Sequence, residues 1–191
     1  AVVVIGLLAT LLTALTVARE YENGSMELLL ATPVRPLEII LGKLVPYVGL
    51  GLAGVVFVYV VARVAFDVPF RGSHLLFGAA VLMYLGVTLA QGLLISVVTR
   101  QQQVAMQISM VTGLLPVNLL SGFIFPIASM PVFFQYFTAI LPARWFMTVT
   151  RAIFLKGSGF AATARPMAVL TLMCIFFIVV ALRKFKTDLE P

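Results

Sequence analysis

Residues 19–27 read REYENGSME, a charged stretch between two apolar runs at 1–17 and 44–65. Four of the seven acidic residues fall between positions 18 and 43, namely Glu20, Glu22, Glu27 and Glu38. A helix rises about 1.5 Å per residue, so the run 44–65 is long enough to cross an apolar layer of about 30 Å. We therefore predict that the charged stretch connects two transmembrane helices on one side of a membrane.

The composition places the whole chain in the class of integral membrane proteins. Of its 191 residues, 62% are hydrophobic and only 10% are charged, and the mean hydropathy is +1.12. The net charge of +6 does not indicate nucleic-acid binding, because the basic residues cluster at the ends of apolar runs. The single cysteine, Cys174, excludes a disulfide framework or a cysteine-based metal site within one chain.

Five apolar runs predict five helical spans, at about 1–17, 44–65, 75–98, 104–124 and 167–182. All five are expected to be helical, because lipid offers no other partner to backbone amides. The first run has no basic lead, so we interpret it as a span that is entered partway through a longer protein. The predicted fold class is an all-α, polytopic transmembrane helix bundle within a single domain.

The orientation is predicted from basic residues next to span ends, because Lys and Arg are divided almost equally between the two sides. Arg100 and the tail residues Arg183, Lys184 and Lys186 directly follow spans, where the positive-inside preference acts. We therefore place the acidic connector and the C-terminal tail in the cytoplasm.

The segment 125–157 is apolar but is broken by Pro126, Pro131 and Pro142 into pieces too short to cross a bilayer. It predicts a re-entrant hairpin of two short helices, about 131–140 and 142–156. Arg144 and Arg151 are seven residues apart and share one face of the second helix. That face is either solvated near the lipid headgroups or a basic pair facing a transport pathway.

The connector is predicted to contain a surface helix at about 18–31. In such a helix Glu20 and Glu27 lie on one charged stripe, and Pro33 and Pro36 follow it. An ordinary solvated connector would also be charged, so charge alone leaves its role open.

Several separate stretches carry a family resemblance. They are, in chain order, REYENGSMELL at 19–29, TPVRPLE at 32–38, Gly42-Lys43, SGFIFPI at 121–127, Met130-Pro131 and RAIFLKG at 151–157. Together they resemble the permease subunits of type-2 ATP-binding-cassette (ABC) exporters, particularly the bacterial multidrug-type members, over essentially the whole chain.

The resemblance implies six spans in the complete protein, with a first span and an extracytoplasmic domain upstream of this chain. It implies that the helix at 18–31 is a coupling helix seated in a cleft of a cytoplasmic ABC ATPase subunit. The ATPase-coupling residues would then be Arg19, Glu20, Glu22, Glu27 and Arg35. The outer re-entrant region would include Gly122, Pro126, Pro131, Arg144 and Arg151.

The fourth span carries a continuous face that includes polar side chains. That face consists of Gln107, Val111, Leu114, Asn118 and Ser121. Polar groups at membrane depth either bond neighbouring helices or line a cavity. The resemblance favours the cavity, because it implies that this span and the span at 1–17 meet their dimer mates at the pathway.

No enzymatic motif accompanies these features. His74 is the single histidine, and the chain contains neither HExxH nor the phosphate-binding GxxxxGK[ST] loop. An intramembrane serine protease would need a serine beside His74, which we place at an outer loop. We expect no catalysis and no cofactor in this chain, with ATP and magnesium bound by a partner ATPase.

The sequence thus predicts one protomer of a permease dimer in the bacterial inner membrane. It would export a hydrophobic or amphipathic substrate by alternating access, powered by the ATPase. A passive channel or membrane scaffold is the alternative. Drug, lipid and glycan-lipid substrates are not distinguished, nor is a homodimer from a heterodimer.

Overall fold

The computed structural model describes residues 2–24, 36–67, 70, 72–120, 131–156 and 160–187. Within these ranges the chain is helical and contains no β-strand, which confirms the all-α class. The helices are α1 (Val2–Glu22), α2 (Pro36–Phe66), α3 (His74–Thr99), α4 (Gln102–Leu120), α5 (Val132–Thr138), α6 (Pro142–Lys156) and α7 (Phe160–Thr187).

Four of the five predicted spans lie in helices that are long and apolar enough to cross a membrane. They are Val3–Glu22, Glu38–Phe66, His74–Thr99 and Ala162–Lys184. The predicted span at 104–124 corresponds to α4, whose described part ends at Leu120. The four long helices therefore make the chain a multi-pass membrane protein.

Helices α2 and α7 are longer than the apolar runs that predicted them. Helix α2 begins at Pro36, where a missing amide hydrogen is harmless, and carries Glu38 in its first turn. Helix α7 runs through Pro166 and covers 28 residues, so the predicted span at 167–182 is not short. Hydropathy detects the lipid-embedded part, whereas helical hydrogen bonding continues into the polar flanks.

The predicted start of the coupling helix at residue 18 is wrong. Helix α1 continues through Glu22 and ends in a turn at Asn23 and Gly24. The amide of Gly24 donates to the carbonyl of Tyr21 at 3.3 Å, and Gly24 has a φ of +69°, which favours glycine. Residues 18–22 therefore form the last turn of a span. Residues 25–31 lie outside the described part.

Helix α3 is the centre of the bundle, and α1, α2, α4, α6 and α7 all contact it. It is buried along most of its length, whereas α2 and α7 turn large apolar side chains outward. Exposed apolar residues of α7 are Leu172, Ile175, Phe176 and Val179. We infer that α2 and α7 face lipid, because lipid tails are as apolar as these side chains.

Helices α1 and α3 approach closely because small residues face each other. The hydroxyl of Thr10 lies 3.0 Å from the carbonyl oxygens of both Gly6 and Thr88. Gly6 lies against the ring of Tyr84, which a Cβ at position 6 would approach to 2.5 Å. Small residues and interhelical hydrogen bonds are the usual adhesion between membrane helices.

The helices define two ends of the bundle. The connector end is where α1 and α3 finish and α2 and α4 begin, at Glu22, Thr99, Pro36 and Gln102. The hairpin end is the opposite one, where α3 begins at His74 and α6 packs against α3 and α7. Helices α5 and α6 match the two short helices predicted for the hairpin, and α6 begins at Pro142 as predicted.

Candidate functional site

The last turn of α1 binds two different neighbouring helices at the connector end. The Glu20 carboxylate forms a salt bridge with Lys43 of α2, and both side chains are mostly buried. The Glu22 carboxylate binds Gln102, the first residue of α4. Residues 20 and 22 are two positions apart, about 200° around a helix. Their side chains therefore reach opposite neighbours.

Glu22 binds both the backbone and the side chain of Gln102. Its Oε1 accepts a hydrogen bond of 2.8 Å from the Gln102 amide nitrogen, and its Oε2 accepts one from Gln102 Nε2. The first amides of a helix have no partner within the helix and carry a partial positive charge. A carboxylate at this position satisfies one of those amides and stabilises the start of α4.

The turn between α3 and α4 contacts the same part of α1. Arg100 adopts a left-handed conformation with a φ of 53°, and its amide donates to the Ser96 carbonyl at 3.0 Å. The Arg100 Cζ atom lies 5.5 Å from the centroid of the Tyr21 ring, within cation–π range. Tyr21 thus contacts Arg100 in the turn, and Glu22 contacts Gln102 just after it. The end of α1 therefore packs against the whole connection between α3 and α4.

The structure describes three of the five predicted coupling residues. Arg19 is exposed in the last turn of α1. Glu20 and Glu22 bind Lys43 and Gln102 within the chain, which sequence reasoning missed because these partners lie on other helices. Glu27 and Arg35 lie outside the described residues. Contact with an ATPase stays a prediction for the set.

The predicted pathway face on α4 is partly described. Gln107 is exposed, and Val111 is 60% exposed. Leu114 and Asn118 belong to α4, but their side chains, like residue Ser121, lie outside the described part. Other exposed apolar side chains of this helix are Met106, Ile108 and Met110. The described part of the chain therefore leaves a broad face of α4 uncovered, with an amide among apolar groups.

The opposite side of α4 packs on α1 through small residues. Ala105 of α4 lies in a buried cluster with Ala14 and Ala18 of α1. Farther along, a Cβ on Gly113 would lie 3.0 Å from the side chain of Leu7. Such contacts bring the two backbones close together but interlock few long side chains.

The hairpin is held by Arg144 in a way that neither sequence interpretation anticipated. Its guanidinium donates to the Gln135 carbonyl and to the Thr138 hydroxyl, each at 2.6 Å. The Trp145 indole donates to the Ala139 carbonyl at 2.8 Å. These bonds satisfy carbonyls at the end of α5, where a helix lacks internal partners. Arg144 is half-buried and joins α5 to α6.

Of the other residues predicted for the re-entrant region, two are exposed and two lie outside the described residues. Arg151 is exposed on α6, on the face opposite the buried Phe146 and Ile153. Pro131 is exposed just before α5, and its carbonyl accepts from the Gln135 amide at 3.2 Å. Gly122 and Pro126 lie outside the described residues.

The described residues were considered for a metal site and for a serine–histidine pair. No cluster of three or more His, Cys, Asp or Glu side chains occurs among them. His74 bonds Tyr59 at 2.9 Å at the hairpin end. Ser96 lies on the same helix 22 residues away, or about 33 Å at about 1.5 Å per residue. These two residues cannot form a serine–histidine pair within the chain.

Comparison with known proteins decides the family. Residues 1–183 match the profile of the ABC-2 family transporter proteins. The chain belongs to the ABC-2 family. The "probable multidrug ABC transporter permease YbhS" of Escherichia coli K12 is 40% identical over 156 residues, which cover 82% of this ABC-2 chain and 41% of the relative.

Two further relatives give the same result. The "probable multidrug ABC transporter permease YbhR" of the same strain is 37% identical over 78% of this chain and 40% of its own length. The "inner membrane transport permease YhhJ" is 34% identical over 96% of this chain and 49% of its own length. The ABC-2 chain thus spans less than half of each relative. No solved structure matches it.

Proposed function

We propose that this chain forms the transmembrane part of the permease of an ATP-driven exporter. It moves a hydrophobic or amphipathic substrate out of the cytoplasm or the inner leaflet by alternating access. Membership of the ABC-2 family supports the transporter class. The names of YbhS and YbhR support a multidrug range of substrates, and that of YhhJ supports the inner membrane.

The uncovered face of α4 is the observation that carries this proposal. Gln107 is exposed, as are Met106 and Val111 beside it. An amide at membrane depth is expected to face a cavity or another protein, because lipid offers it no hydrogen-bonding partner. A second permease protomer opposite this face would enclose a pathway whose wall is mostly apolar, which suits an apolar substrate.

The partner ATPase is proposed to bind at the connector end. Exposed basic residues Arg100, Arg183 and Lys184 lie at the ends of α3 and α7 on that side, as expected for the cytoplasmic face. Helix α1 also ends and α2 begins at this end of the bundle. ATP and magnesium would be bound by that subunit.

A transport assay tests the function directly. The full-length protein and its ATPase subunit would be reconstituted in liposomes with the ATPase facing outward, and accumulation of a hydrophobic cationic dye would be measured. We expect accumulation with ATP and none with an ATPase variant that binds but does not hydrolyse ATP. Dye flux that is independent of ATP would indicate a passive channel, and the absence of flux with active ATPase would contradict the exporter.

A further inference from the structure

We infer that Glu22 is a positioning residue that fastens the end of α1 to the beginning of α4. Through this link, a displacement of the segment after α1 reaches the uncovered face of α4. The inference rests on the proposed function, because it assigns a route between the ATPase side and the pathway side of the same permease. It gives Glu22 an intramolecular role instead of a contact with the partner.

The first support is that the first turn of α4 carries no acidic residue that could stabilise its start. The residue before this helix, Gln101, is not one of the usual capping types. The carboxylate that binds the Gln102 amide comes from Glu22, 80 positions away. The end of α1 therefore supplies a carboxylate that stabilises the start of α4.

The second support is the nature of the remaining α1–α4 contact. Ala14 and Ala18 pack on Ala105, and Leu7 packs beside Gly113. Small side chains resist sliding or rotation of two helices less than interlocked large ones do. The two hydrogen bonds of Glu22 are directional, and they fix the start of α4 relative to the last turn of α1.

The third support is that the last turn of α1 carries two carboxylates that bind two different helices. Glu20 binds Lys43 and so joins α1 to α2, whereas Glu22 joins α1 to α4. Gly24 lies two residues after Glu22, in the turn that ends α1. A pull on the segment after Gly24 would therefore act on a helix end that is fastened to both neighbours.

Substitution in the complete complex separates this role from a contact with the ATPase. Glu22→Ala should leave copurification of the ATPase unchanged and lower ATP-driven transport by roughly 5-fold or more, the range of ordinary coupling between sites. Asp67→Asn, which removes an exposed carboxylate at the opposite end of the bundle, should transport like the parent. Loss of ATPase copurification in Glu22→Ala would overturn the inference.

Cross-linking tests whether the two residues move together. Cysteines replace Glu22 and Gln102 in a Cys174→Ala background and are joined by a short bifunctional thiosulfonate reagent. Because Glu22 is absent from this variant, we expect low transport before cross-linking and recovered transport after it, with the same cross-linking yield with and without trapped ATP. Inactivation by the cross-link, or a yield that depends on nucleotide, would overturn the inference. The cross-linking yield tests the link independently of transport. If the unmodified complex showed no ATP-driven transport, that result would contradict the proposed function but not the link.

Discussion

Gly92 of α3 lies against Thr10 of α1 so closely that a Cβ at position 92 would overlap the Thr10 carbonyl group. Gly92 is buried, and Thr10 also bonds the Thr88 carbonyl one helical turn away. The two helices with the most extensive mutual contact in the bundle therefore meet at a point where only glycine fits.

Gly92→Ala should destabilise the bundle by about 1–3 kcal/mol, the usual range for overpacking. The measurement is the thermal unfolding midpoint in detergent. Gly78→Ala on the same helix is the control, because nothing lies within 4 Å of a Cβ at position 78. Without a clash, glycine-to-alanine in a helix is neutral or stabilising. Equal midpoints for the two variants would contradict the close approach.

Arg144→Ala should release α5 from α6. The Gln135 carbonyl and the Thr138 hydroxyl would lose the guanidinium and keep the 2.8 Å bond that the hydroxyl donates to the carbonyl. Each lost hydrogen bond of this partly buried site costs about 0.5–1.5 kcal/mol. Hydrogen exchange of the amides in 132–138 should rise. Thr148→Ala is the control, because the exposed Thr148 hydroxyl bonds only the carbonyl of Arg144 in its own helix. Unchanged exchange in Arg144→Ala would show that the hairpin is held by other contacts.

Cysteines at positions 107 and 118 should react with a water-soluble thiol reagent in a Cys174→Ala background. If α4 lines a pathway, accessibility at one of them should change when ATP is trapped in the complex. A cysteine at position 105 is the control, because Ala105 is fully buried against α1. Lack of reaction at 107 and 118 in every nucleotide state of an active complex would place the pathway elsewhere.

Asn118→Leu should alter substrate range more than folding.

Charge exchange between Glu20 and Lys43 distinguishes an internal link from a contact with the ATPase. Glu20→Lys should destabilise the protein, because two lysines would then face each other at positions 20 and 43. Adding Lys43→Glu should recover about 0.5–1 kcal/mol of stability and should also recover transport. The comparison uses thermal midpoints and transport of both single variants and the double variant. Recovery of stability without transport would assign Glu20 to the partner.

Local signals explain what could be predicted. The apolar runs predicted the long helices, and Pro142 predicted the beginning of α6, because hydropathy and a missing amide act within a few residues. The prediction that a coupling helix starts at residue 18 was wrong, because the first charged residues after the apolar run were taken as the end of the first span. The helix in fact ends at Asn23 and Gly24, where glycine permits the turn.

The sequence by itself therefore determined the membrane class, the helices and the family, because apolar length and short motifs are properties of the chain alone. Only the tertiary structure decided that Glu22 binds Gln102, that Glu20 binds Lys43 and that Gly92 meets Thr10. Each pair joins two helices. In a membrane, lipid and protein neighbours are equally apolar, so hydropathy indicates depth but does not indicate which helices touch.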